Sequence, residues 1–155
     1  MKLAKVSTRV LAPLAGAALA AVAVASPAAA APEHWTEGEV RYANSRNVLT
    51  PHDGKTHGAR ILVRVDWEDG KGAVYGNMWD LYEDGNDARL EASYSYLSDG
   101  TWKPVTRVLN TLKDTTKTGI HTSLHTRPDV KIKDLKVRTC TANSAGANVW
   151  CGDWY

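Results

Sequence analysis

The clearest hydrophobic–polar pattern in the chain lies in residues 73–96. Leu90, Ala92, Tyr94 and Tyr96 fall on one side of it and Arg89, Glu91, Ser93 and Ser95 on the other. That period of two is the signature of a half-buried strand. The preceding residues also alternate, with Tyr75, Asn77, Trp79 and Leu81 opposite Val74, Gly76 and Met78. Asp84-Gly85 sits between the two patterns, and Asp-Gly flanked by alternation predicts a β-hairpin. Its tip is acidic and flanked by aromatic residues.

Other segments repeat the theme. In residues 60–68, Ile61, Val63, Val65 and Trp67 point one way and Arg64, Asp66 and Glu68 the other, with Leu62 as the one apolar exception outside. Asp69-Gly70 and Asp99-Gly100 are turn signals. Residues 102–109 read as strand and 110–119 as a connection. Residues 119–127 alternate, with Ile120, Thr122 and Leu124 opposite His121, Ser123 and His125. Residues 130–140 read as strand, but the phase shifts between Ile132 and Leu135, which predicts a bulge near Asp134. Nearer the start, residues 31–36 read as an extended arm, 39–42 as a first strand and 44–58 as loop. Trp67, Tyr94 and Tyr96 are expected in the core.

Beyond the first 30 residues, no segment holds a helical period over three turns. Short strands recur with turn chemistry between them. The expectation is an all-β chain, a single antiparallel β-sandwich or small jelly roll of about seven or eight strands.

Residues 1–30 have a different character. Lys2, Lys5 and Arg9 precede an uncharged Leu/Ala/Val/Gly run, and Ala28-Ala29-Ala30 offers a small-residue cleavage pattern. This predicts a secretory signal peptide, a single domain at 31–155 and an extracellular location. The leader changes the charge argument. The chain has 19 Lys+Arg and 17 Asp+Glu; three of the basic residues and none of the acidic ones lie in the leader. Residues 31–155 therefore carry 16 against 17, a formal net of −1. Nothing in that balance points to nucleic acid or an anionic membrane. Cys140 and Cys151 are the only two cysteines, and an even pair in an exported chain predicts one disulfide.

Candidate chemistry is sparse. A calcium-loop template laid on residues 80–91 puts Asp80 first, Asp84 fifth, Gly85 sixth and Glu91 twelfth. Tyr82 occupies the third ligand position, however, and the flanks alternate with period two where that loop needs helices. An acidic solvated turn is the simpler reading, with a weak site at Asp80, Asp84 and Asp87 left open. His121 and His125 share a strand face four residues apart, roughly 13 Å, too far to hold one metal. His52 and His57 flank Asp53 in a loop-like stretch, where a solvated loop is the default. There is no G-x-S-x-G motif and no distinctive carboxylate pair, so no catalytic residue, metal or cofactor is expected.

The aromatic residues carry more information. Six Trp, six Tyr and no Phe mean that every aromatic ring has a polar handle suited to partly wet surfaces. Trp79, Tyr82, Trp150, Trp154 and Tyr155 lie at a loop tip or the C-terminal end and are the candidate binding residues.

With its leader, the residues 79–89 stretch and the closing V-R-T-C…W-C-G-D-W, the chain resembles small secreted β-sandwich proteins of actinobacteria. The resemblance implies fold and export. Some such proteins are subunits of multi-part secreted antibacterial toxin particles, which implies an adaptor role. The expected function is a non-enzymatic binding module. One version binds another secreted protein, as adaptor or inhibitor, with residues 31–40 as a candidate strand for a partner's sheet. The alternative binds polysaccharide or cell wall through exposed Trp and Tyr.

Overall fold

A computed structural model describes residues 32–50, 58–113 and 119–155. Its regular elements are strands: β1 Trp35–Glu37, β2 Asn44–Leu49, β3 Ala59–Glu68, β4 Lys71–Asp80, β5 Asp87–Ser98, β6 Thr101–Leu112, β7 Ile120–Thr126, β8 Ile132–Ala142 and β9 Asn148–Cys151. They form two antiparallel sheets, one in the order β1-β7-β4-β3-β2 and the other β6-β5-β8-β9. The sheets pack face to face as a β-sandwich. The buried layer between them takes Ile61, Val63 and Val65 from β3, Val74 and Met78 from β4, Leu90, Ala92 and Tyr94 from β5, and Leu135 and Val137 from β8. Alternation put these residues on one side of each strand, and burying that side creates the core.

Residues 73–96 do not form a hairpin. β4 pairs with β3 and β7, β5 pairs with β6 and β8, and the segment between them crosses from one sheet to the other. The backbone explains the difference. At Asp69-Gly70 and Asp99-Gly100 both residues have positive φ, 46° and 79° in the first pair and 51° and 73° in the second. That is the twisted two-residue hairpin turn. At 84–85 only Gly85 is left-handed (φ 82°), and the Asp84 carboxylate accepts the Asn86 N–H at 2.9 Å. The result is an arch that lays the apolar face of β5 over that of β4.

The N-terminal reading also needs correcting. Residues 39–42 are not a strand, whereas Asn44–Leu49, expected as loop, pairs along β3. The expected arm is β1, paired with β7 at one edge of the five-stranded sheet. β2 lies at the other edge, so residues 38–43 cross the outer face of that sheet between them. Arg41 stacks 3.5 Å above the Tyr75 ring, and the Tyr42 and Ala43 amides point at Asp66 and Glu68. This crossing buries Asp66, which alternation had placed in solvent. Tyr94 lies in the core and Tyr96 packs against it, but Trp67 is 36 % exposed at the end of β3.

Two expectations are met closely. Cys140 and Cys151 stand opposite each other on β8 and β9 and are disulfide-bonded, with Cα atoms 4.0 Å apart. The register of β8 on β5 slips between Ser93 and Ser95, and Asp134 takes φ 58° there.

Candidate functional site

The five candidate aromatic residues fall into two groups on different sheets. Trp79 is on the outer face of β4, paired with Arg60 of β3, whose guanidinium lies 5.6 Å from the indole centroid. Gly119 packs so closely on this indole that a Cβ there would meet Trp79 Nε1 at 2.3 Å. Tyr82 follows β4, packs against Gly58 and stays 42 % exposed. The other group runs along the far edge of the four-stranded sheet. Trp150 lies in β9 opposite Thr141, Trp154 is stacked with Arg138 at 4.2 Å, and Tyr155 exchanges backbone hydrogen bonds with Val137. The fold does not join the two groups into one platform.

Sequence reasoning missed Trp67, Tyr75 and Trp102. Arg46 lies 5.2 Å from Trp67, Arg41 and Arg64 flank Tyr75, and Lys133 Nζ is 4.7 Å from the Trp102 ring. Trp102 had a visible signal, because it opens a strand just after an Asp-Gly turn with Pro104 two residues on. The partner cations had none, since they arrive from other strands. With Trp79 and Trp154, these rings make six cation–aromatic stacks. In each the cation is held against the electron-rich face of the ring, a face that a sugar ring would otherwise stack on.

The acidic stretch is used locally. Asp80 is buried and its Oδ1 accepts the Tyr82 N–H at 3.4 Å. Asp84 caps Asn86, and Asp87 pairs with Lys113 at 2.6 Å. Glu91, the twelfth position of the calcium template, lies across the arch on the other sheet. Its carboxylate accepts from Arg138 Nε and Nη2 at 3.0 and 2.8 Å and from Asn148 Nδ2 at 2.8 Å. Among the described residues, the one group of three ligand-type side chains within 4.8 Å of one another is Glu91, Cys140 and Cys151. Its two sulfurs are already bonded to each other. His121 contacts Asn77 and His125 contacts the Gly38 carbonyl, both on the outer face of β7. His52 and His57 lie outside the described residues.

A cleft of about 520 Å³ opens where β6 faces β7, lined by Glu37, Val108, Asn110, His121 and Leu124 among others. Asn110 Nδ2 crosses it to Thr122 Oγ1 at 2.8 Å. The free edge of β6 beside it is blunted against further pairing. Pro104 lacks an N–H, Lys103 and Arg107 sit on the core-facing side, and a register shift interrupts the strand between Leu90 and Glu91 of its partner. Arg107 reaches the Glu33 carboxylate.

The cleft's neighbour is a buried polar cluster. Tyr94 Oη accepts the Trp35 indole N–H at 3.0 Å and lies 3.1 Å from His34 Nδ1. Burial pulls the His34 imidazole below its usual pKa, against the opposing pull of Glu33, and burial pushes the Tyr94 phenol up. With the imidazole neutral and its proton on Nε2, Nδ1 would accept the Tyr94 hydroxyl proton and Nε2–H would face Glu33 at 3.6 Å. These bonds hold the N-terminal residues into their own sandwich. No protein-family model, no curated protein and no solved structure matches this chain.

Proposed function

We propose that this chain is a secreted, non-enzymatic binding module acting by protein–protein interaction, as an adaptor subunit of a secreted complex or as an inhibitor. The leader and the Cys140–Cys151 disulfide support export to an oxidising compartment. The observation that carries the reading is the set of cation–aromatic stacks at Trp79, Trp102 and Trp154 on the outer faces; the Tyr75 stack lies beneath residues 38–43 and the Trp67 stack at the inward-facing end of β3. Trp, Tyr and Arg are the residues that dominate protein interfaces when held in place, and here each ring is held by a cation from another segment. Further large side chains are exposed on the same two sides: Leu49, Leu62 and Tyr82 with the five-stranded sheet, Leu97 and Val108 with the other, each 37–50 % exposed. The blunted β6 edge and the commitment of β1 to its own sheet argue against a partner adding to β6 or taking up β1, and leave the outer faces as the contact surface we propose.

The test is an affinity pull-down of tagged residues 31–155 from the culture supernatant of the producing organism, read by mass spectrometry. Stoichiometric recovery of another secreted polypeptide is the expected result. Recovery of the protein alone, with retention on insoluble chitin, cellulose or peptidoglycan that falls in Trp79→Ala or Trp154→Ala, would replace this reading with the carbohydrate-binding one.

A further inference from the structure

The outer face of β8 carries three cations in line, Lys133, Lys136 and Arg138, and the two lysines have no acidic partner among the described residues. Strict alternation would put Lys133 and Lys136 on opposite faces, three residues apart. The bulge at Asp134 restores them to one face. Ile132, Leu135 and Val137 are buried, while Lys133 and Lys136 are exposed and Arg138 is half-buried; Lys131, just before β8, rests its side-chain stem by Gly70 of the other sheet's turn. Across the ladder on β5, Ser93 faces Lys136 and Ser95 faces Lys133, and Thr106 and Pro104 continue those rows on β6. No acid stands opposite either lysine across the ladder, and the exposed Asp134 at the bulge between them makes no ion pair with either. Among the described residues, Lys131, Lys133 and Lys136 make no ion pair, and only Arg138 does, with Glu91. Like charges two residues apart on one strand face repel each other. Since residues 31–155 have a formal net of −1, general basicity does not account for the stripe.

Two stacked indoles bracket it. Lys133 reaches across the small Ser95 row to Trp102, and Arg138 rests on Trp154. The lane between, Ser93, Ser95, Pro104 and Thr106, is made of small side chains. We infer that this face binds an acidic, extended polypeptide segment of the partner, carrying Asp or Glu at alternate positions; the inference rests on the protein-interaction reading above. Charge complementarity selects the anion. Spacing selects the polypeptide, because side chains on one face of an extended chain repeat roughly every 7 Å, the same step as successive cations along β8. The cations already on Trp102 and Trp154 favour carboxylates over neutral sugar rings.

The test uses isothermal titration calorimetry of residues 31–155 with a synthetic peptide of alternating glutamate and threonine. The controls are the same residues in two blocks, a lysine–threonine peptide and inorganic polyphosphate. The alternating acidic peptide should bind, weakening about tenfold from low to high ionic strength. It should weaken about tenfold or more in K133E/K136E, and measurably in K136E alone, which leaves the Lys133–Trp102 stack in place and should keep the wild-type melting temperature. Equal binding of the block or basic peptide, wild-type binding by K133E/K136E, or equally tight polyphosphate binding would each overturn the assignment, the last making the face a general polyanion site. The two readings fail separately. If K133E/K136E still captures the supernatant partner in full, this face is wrong and the interaction module stands; if wild type captures none, the module reading falls whatever the peptide does.

Discussion

Trp35 of β1 donates its indole N–H to the Tyr94 hydroxyl of β5, 3.0 Å away, joining the first strand of one sheet to a central strand of the other. Their rings meet edge to face at 5.6 Å, and each is 2 % exposed. An arm available for donation to a partner would not bury its tryptophan in its own core. Trp35→Ala should therefore lower stability by about 3–5 kcal/mol, the range for a large core truncation. Deletion of residues 31–38 should lower it at least as much. Urea denaturation followed by near-UV circular dichroism measures both, and an unchanged midpoint in the deletion would restore the free-arm picture.

The same cluster makes stability depend on pH. Folding lowers the His34 pKa, chiefly by burial, so the unfolded chain takes up the proton more readily than the folded one. The His34 contribution is complete above the unfolded value of about 6.5 and is lost as pH falls from there through the lower folded value. Melting temperature should fall across that window. In His34→Gln, which keeps a hydrogen-bonding group but cannot titrate, this part of the decline should vanish while any carboxylate-driven loss at lower pH remains. Melting curves across the pH range would show it, and parallel profiles for the two proteins would reject the assignment.

Alternation identified much of the core of this fold. Val63, Leu90 and Val137 are buried because each stands on the apolar side of a period-two pattern, whereas on β4 it separated Val74 and Met78 from Tyr75 and Trp79 without fixing which side is buried. The break in that pattern at Asp134 correctly located a bulge. What alternation does not contain is which strand lies beside which. Asp84-Gly85 looks like Asp69-Gly70 in sequence, yet Asp84 does not take the left-handed conformation that a two-residue hairpin requires, and the chain changes sheets instead. Asp66 and Trp67 exchanged their expected burial for a related reason. Coverage by residues 38–43 and the end position of Trp67 depend on the path of another segment. The candidate site was legible only in its residue types. Trp154 was visible as an end-of-chain aromatic, but Arg138, which rests on it, comes from a different strand.

The disulfide closes a loop between neighbouring strands and constrains the chain after β8, including Trp150, Trp154 and Tyr155. Replacing both Cys140 and Cys151 with alanine should cost about 3 kcal/mol by the loop-entropy estimate. The double variant should remain folded, since the rest of the core is untouched, and should melt at the same temperature as reduced wild type. Comparing denaturation with and without a reducing phosphine tests both points. A larger loss in the double variant than on reduction would mean that Cys140, fully buried, contributes by packing as well as by bonding.

Among the described residues, Glu91 and Arg138 form the ion pair on the outer face of the four-stranded sheet in which both side chains are mostly buried, 5 % and 23 % exposed. The pair is directly opposed across β5 and β8, and Asn148 Nδ2 fills the second carboxylate oxygen. Removing one partner leaves the other charge poorly solvated and is worth about 3–5 kcal/mol in buried pairs, whereas removing both is often much milder. Glu91→Gln should therefore be strongly destabilising. Arg138→Met should lose the Trp154 stack as well as the pair, and the double variant should recover part of the summed loss. A double-mutant cycle by urea denaturation gives the coupling directly. Coupling near zero would make the pair an ordinary surface contact; strong coupling would make it the fixed anchor from which Trp154 is presented at the margin of the lysine stripe.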